Sequence, residues 1–120
     1  MQIDVPGAFE TYFSGTGVMA GQQYTDEPEI ERGARELRVA WLAARRITRG
    51  RGYSLRLELP SDEAACVLAE YAMWCLGANA DEPEYSEMDA ARKVLRRVEK
   101  ATDGRVRWDG WNVYYHDRVR

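Results

Sequence analysis

A chain of 120 residues with 45% hydrophobic and 31% charged side chains and a formal charge of −3 has the size and composition of one folded domain. It is too apolar for a disordered segment and too weakly charged for charge alone to specify a partner class. No run approaches the ~20 consecutive apolar residues that cross a bilayer, and Met1 to Gly7 lacks the basic start and apolar stretch of a secretory signal, so a cytoplasmic protein with no membrane contact is expected.

Residues 1–27 read as an irregular N-terminal segment. The first five residues fit a short strand, Pro6-Gly7 a turn, and Ala8 to Phe13 a short helix or strand. Gly15, Gly17 and Gly21 invite comparison with a dinucleotide loop, but that fingerprint requires a strand directly before it within a βαβ unit of ~30 residues. A surface loop is the plainer reading.

Over 36–47 two periodicities compete. Ile30, Ala34, Leu37, Trp41 and Ala44 fit a helix, while Leu37, Val39, Trp41 and Ala43 fit a strand. Tyr53, Leu55, Leu57 and Leu59 alternate with polar residues, as in a half-buried strand, and Thr48 to Gly52 resembles a hairpin loop, so a β-hairpin over 36–59 is predicted. Pro60 then ends the strand, Ser61 is a good N-cap, and Asp62 and Glu63 suit a first helical turn, which predicts a helix over 61–77. Its apolar stripe widens through Met73 and Trp74, implying burial on more than one side. Cys66 and Cys75 fall within this helix about 13 Å apart on nearly opposite faces, so they cannot pair with each other.

The segment from Gly77 to Tyr85 reads as an acidic linker. A capping-box-like Ser86 with Asp89 opens a second helix over 86–103, with Val94, Leu95, Val98 and Ala101 buried and Arg92, Lys93, Arg96, Arg97 and Lys100 on another side. A second hairpin follows over 105–116. Asp109-Gly110 between two tryptophans predicts a two-residue type I′ turn, with Trp108 opposite Trp111 and Val106 opposite Val113. The tail Asp117 to Arg120 is expected to fray. Together these elements predict one α+β domain over 1–120, in which short antiparallel hairpins pack in two layers on two antiparallel helices.

Three stretches carry a resemblance: GYSLRLELP (52–60), AACVLAEYAMWCLGANADEPE (64–84) and AARKVLRRVEKATDG (90–104). From about residue 45 to 104 the chain resembles small uncharacterised proteins of Streptomyces-type actinobacteria and their phages or mobile elements. The resemblance implies a hairpin followed by two helices joined by an acidic linker, and it brings no activity. The N-terminal segment departs from that pattern.

The charges are segregated. Every charged residue between Arg56 and Arg92 is acidic, with bases on both flanks, and the chain holds fifteen Arg against two Lys. That excess reads as coding bias or, alternatively, as selection for bidentate contacts to carboxylate or phosphate. Arg45, Arg46, Arg49 and Arg51 surround one predicted loop, where they could meet an anionic partner or remain a solvated ribbon. The basic helix offers a nucleic-acid alternative through Arg92, Lys93, Arg96, Arg97 and Lys100, unless the acidic helix neutralises it. Met73, Trp74, Trp111 and Tyr114 are candidates for a protein interface, including a homodimer. Asp81, Glu82, Glu84 and Glu87 lack EF-hand spacing, and two Cys with one His make no standard zinc set, so no metal and no cofactor are expected. His116 has Asp117 beside it but no marked nucleophile, so no catalytic residue is assigned, although carboxylates and tyrosines keep acid–base chemistry open. The expected role is a small non-catalytic interaction or regulatory protein, such as a phage or mobile-element accessory factor. Nucleic-acid binding, and a small enzyme or ligand-binding protein built on the glycine-rich segment, are the rivals.

Overall fold

In a computed structural model the residues described are 1–77 and 85–120, so the interior of the predicted acidic linker, with its three carboxylates Asp81, Glu82 and Glu84, lies outside them. The chain is α+β: among the described residues four helices accompany two three-stranded antiparallel sheets. Strand β1 (Gln2–Pro6) leads through a single 3₁₀ turn into α1 (Glu10–Ser14), and α2 (Pro28–Leu42) precedes the hairpin β2 (Arg45–Arg49) and β3 (Gly52–Glu58). Then come α3 (Asp62–Gly77), α4 (Tyr85–Ala101), β4 (Val106–Trp108), β5 (Val113–Tyr115) and β6 (Arg118–Val119).

The irregular N-terminal segment is corrected over residues 2–14, where the short strand and short helix that its sequence allowed are formed, while 15–27 hold no helix or strand. Ile3 and Val5 alternate inward and pair with Leu57 and Leu55, so β1 completes the first sheet in the order β1-β3-β2. Phe9 and Phe13 project from the following turn and helix into the core, where Phe13 meets Trp41 at 4.3 Å between ring centroids. Burying two such rings supplies roughly 3–6 kcal/mol, which accounts for order in a glycine-rich neighbourhood.

The first half of the predicted 36–59 hairpin is also corrected, because residues 36–42 are helical. Pro28 occupies the first turn of α2, where its missing N–H costs nothing, and Glu29 and Glu31 face the positive end of the helix dipole. Ile30, Ala34, Leu37 and Trp41 form the buried stripe, while Val39, which a strand would have buried beside Leu37, is 67% exposed. The true hairpin is shorter, turning at Gly50 with φ +59°.

Helix α3 is the centre of the helical layer, between α2 and α4. Ser61 caps it as predicted, its Oγ accepting from the Ala64 N–H at 3.2 Å, and every side chain from Ala64 to Ala72 is buried. Gly33 lets α2 approach closely: a Cβ there would come within 2.6 Å of the Glu63 backbone. The described part of helix α4, Tyr85–Ala101, includes Ser86 within the helix.

The C-terminal hairpin has a different register from the predicted one. Val106 pairs with Tyr115 and Trp108 with Val113, leaving a four-residue loop over 109–112. Asp109 decides this, since its Oδ1 accepts from both the Trp111 and Asn112 N–H groups at 2.9 Å, an arrangement a two-residue turn cannot provide. The tight turn lies instead at His116-Asp117, with φ of 48° and 67°, and returns the chain as β6 against β5. The tail therefore does not fray. Arg120 donates to the buried Glu70 of α3 at 2.7 Å and also pairs with Glu27.

Candidate functional site

Alternation along the first sheet sorts its arginines. The register puts Asp4, Arg56 and Arg45 on the outer face with Ile47 and Arg49, and puts Arg46 on the face that carries Val5 and Leu55. Arg46 is therefore not a free cation. Its guanidinium lies 3.8 Å from the Tyr53 ring centroid and 3.9 Å from Glu10, whose carboxylate accepts from the Tyr53 hydroxyl. On the outer face Arg56 grips Asp4 through two bonds of 2.8 and 3.0 Å. This pairing, beyond the opposing effect of burial, holds the Asp4 carboxyl below the usual carboxylate range.

Arg45, Arg49 and Arg51 remain exposed, and none forms an ion pair within 4.0 Å among the described residues. They stand on an edge strand exposed at four of its five positions, and on its turn. Arg49 and Arg97 both act on Asp4 from nearby, and Arg97 Nη1 donates to the Asp4 carbonyl at 2.6 Å. Two basic groups separated by some fifty residues in sequence thus flank one end of the same sheet, where Arg97 and Lys100 also border a cleft beside Gln2.

The expected neutralisation of basic α4 by acidic α3 does not occur among the described residues. Asp62 takes Arg105 in a two-point contact at 2.7 and 3.3 Å, Glu63 takes Arg32 at 2.9 Å, and Glu70 takes Arg120. Arg105 and, more weakly, His116 hold the Asp62 carboxyl below its ordinary value against the effect of burial. On α4, Lys93 pairs with Asp89 one turn away at 3.3 Å, while Arg92, Arg96 and Lys100 meet no carboxylate among the described residues.

The aromatic candidates do not join the arginine ribbon. Trp74 packs edge-on against Tyr71 at 4.8 Å and beside Tyr24, leaving it 42% exposed, and Met73 is half-buried on the core. Trp111 is 85% exposed on the β4–β5 loop of the second sheet. Tyr114 is occupied locally, donating its hydroxyl to Asp109 and stacking under Arg107.

Neither cysteine is poised as a nucleophile. Burial pushes the Cys66 thiol up to about 12 and Cys75 to about 11, far from a reactive thiolate. His116 faces Asp62 at 3.2 Å, and the neighbouring Ser61 hydroxyl is engaged by Glu36 and the Ala64 N–H. In the glycine-rich loop, the N–H groups of Thr16, Ala20, Gly21 and Gln22 all bond to carbonyls of the same segment, and Val18 is buried. Those donors are turned away from any phosphate.

Sequence reasoning passed over the exposed side of α2, where Val39 and Leu42 stand open beside Arg35 and Arg38. The available signal was that both apolar residues fall off the stripe set by Ile30, Ala34, Leu37 and Trp41. No protein-family model, curated protein or solved structure matches the chain.

Proposed function

We propose that the protein is a small non-catalytic binding protein that captures an acidic face of another protein through the arginine-bearing ribbon β2–β3. The observation that carries this reading is the edge position of Arg45, Arg49 and Arg51: three guanidinium groups along strand β2 and its turn, without carboxylate partners among the described residues, beside a half-buried Ile47. Such a surface meets carboxylates by two-point hydrogen bonds, and its backbone edge can add a strand from a partner. Arg46 and Tyr53 brace it from the other side. In this reading the protein acts as a regulatory or accessory factor in the actinobacterial cytoplasm or in a phage or mobile element.

The test is affinity capture of the tagged chain from a Streptomyces lysate, with and without nuclease, beside R45A/R49A/R51A. A stoichiometric protein retained after nuclease and lost with the triple variant is the expected result. Equal capture by wild type and variant would remove the ribbon from the account.

A second reading is supported by the convergence of Arg49 and Arg97 on Asp4, which extends the basic strip toward Lys100 and suits a phosphate backbone. Nucleic-acid capture would then be lost with nuclease, and affinity would fall with salt at a logarithmic slope of about −0.9 per neutralised phosphate on a duplex.

A further inference from the structure

The first sheet has two edges, and one of them is closed. Beside β1, Arg97 Nη1 occupies the Asp4 carbonyl at 2.6 Å, and Pro6 has no N–H to offer. The hydrogen bonds of β1 also fix which backbone groups point outward from the other edge. Met1 and Leu59 exchange backbone bonds, the Leu59 N–H donating to the Met1 carbonyl at 2.7 Å and the Met1 amino group to the Leu59 carbonyl at 2.5 Å. In an antiparallel ladder the pairs Ile3–Leu57 and Val5–Leu55 are then bonded likewise. Ser54 and Arg56 therefore turn their backbone groups toward β2, which agrees with the place of Pro6 opposite Ser54. On β2 this engages Arg45, Ile47 and Arg49 with β3, and the N–H and C=O groups of Arg46 and Thr48 point outward, without a hydrogen-bond partner among the described residues.

The side chains along that edge alternate in step with the backbone. Toward an added antiparallel strand, Arg45, Ile47 and Arg49 stand at the positions without hydrogen bonds, where paired residues approach most closely, about 4.5 Å between Cα atoms. They share the outer face of the sheet, so an aliphatic side chain lies between two guanidinium groups that have no ion pair among the described residues. We propose that β2 receives an extended acidic segment of the partner protein as a fourth, antiparallel strand of the sheet, with the pattern acid-x-aliphatic-x-acid set against Arg49, Ile47 and Arg45.

In that arrangement each carboxylate takes two-point bonds from a guanidinium, and the aliphatic residue covers the half-buried Ile47. The two residues between them exchange backbone bonds with Arg46 and Thr48. A second copy of the chain is a poor occupant, because two β2 strands paired about Ile47 set Arg45 against Arg49 at both ends, with like charges directly opposed. The arginines thus guard the edge against self-association and select an acidic strand. This inference rests on the binding function proposed above and adds to it the backbone conformation of the partner and the spacing of its acids.

Amide chemical shifts of the isotope-labelled full chain, followed during titration with the acetylated and amidated heptapeptide Thr-Glu-Thr-Val-Thr-Glu-Thr, test it. The Arg46 and Thr48 amide protons are expected to move downfield and to gain protection from exchange, since they acquire new acceptors. The isomer Thr-Thr-Glu-Val-Glu-Thr-Thr carries its acids on the face away from its valine and should bind roughly fivefold or more weakly, as should the parent peptide to R45A/R49A. N-methylation of the two threonines that flank the valine should abolish binding, whereas N-methylation of the valine should not, because its N–H faces away from β2. Equal binding of the two isomers, indifference to the threonine methylation, or no shift at Arg46 and Thr48 with millimolar peptide would overturn strand addition. Capture of a lysate protein that depends on the three arginines, without those shifts, would leave the ribbon reading standing and remove only the added strand. Ribbon shifts with an oligothymidylate and none with the peptide would overturn it in favour of phosphate binding.

Discussion

Replacing Arg120 by alanine removes the counter-charge from one of the most deeply buried carboxylates in the protein. Glu70 is 4% exposed in the middle of α3, and burial raises its carboxyl above the ordinary range while Arg120 pulls it back down. Breaking a fully buried pair from one side costs about 3–5 kcal/mol because the remaining charge is left without compensation. The Arg120 side chain retains 12% of its exposure and its second partner, Glu27, is 57% exposed, so the surface half of the network adds little. We place the loss at about 2–4 kcal/mol at neutral pH, to be read as a fall in the urea midpoint at unchanged slope. Its sign with pH follows from the raised carboxyl. Without Arg120, Glu70 rises further above its unfolded value, so the penalty is full above the folded value and vanishes at acid pH, where both states are protonated. R120A should therefore approach wild type on acidification, and R120A/E70Q should recover much of the loss at neutral pH. A variant within about 0.5 kcal/mol of wild type at neutral pH, or an equal deficit at all pH values, would refute this reasoning.

Two further outcomes follow from the packing and charge of the fold. G33A should destabilise by about 1–3 kcal/mol, because the added Cβ would meet the Glu63 backbone at 2.6 Å and no flexible side chain can yield; a thermal melt as high as wild type would contradict it. D62N removes a carboxylate held below its ordinary value by Arg105, so the stability it contributes is present above about pH 3.9 and is lost as pH falls through the lowered value. Urea midpoints of D62N and wild type should differ at neutral pH and converge in strong acid, and parallel curves across that range would disprove the assignment.

The most legible parts of the fold were those in which local chemistry and tertiary packing ask for the same thing. Pro60, Ser61, Asp62 and Glu63 stop a strand and start a helix for reasons internal to four residues, and the structure places the cap where that logic does. Residues 36–42 were ambiguous because Leu37 and Trp41 satisfy both periods, and only the exposure of Val39 separates helix from strand. At the second hairpin the Asp-Gly pair is a strong turn signal, but the Asp109 carboxylate captures two N–H groups ahead of it and widens the loop. The anchoring of the tail depends on a contact fifty residues away in sequence, though Glu70 amid apolar neighbours gave notice that a buried acid would require a cation.

The arginine cluster at the first hairpin could be read from spacing, but the roles of its members could not, since strand alternation had to turn Arg46 toward Tyr53 and Arg45 and Arg49 the other way. Exposed aromatic residues were likewise visible in the sequence, but the structure places Trp111 on a different sheet from the arginines and shows Tyr114 engaged by Asp109.

Arginine-selective dicarbonyl footprinting read by mass spectrometry, with and without the protein captured from lysate, tests the binding account most directly. In the free chain Arg45, Arg49 and Arg51 should react quickly and Arg56 and Arg120, held by Asp4 and Glu70, slowly. With the partner bound, the three ribbon arginines should become protected together, whereas full reactivity of all three in a stable complex would contradict the claim that this ribbon is the binding surface.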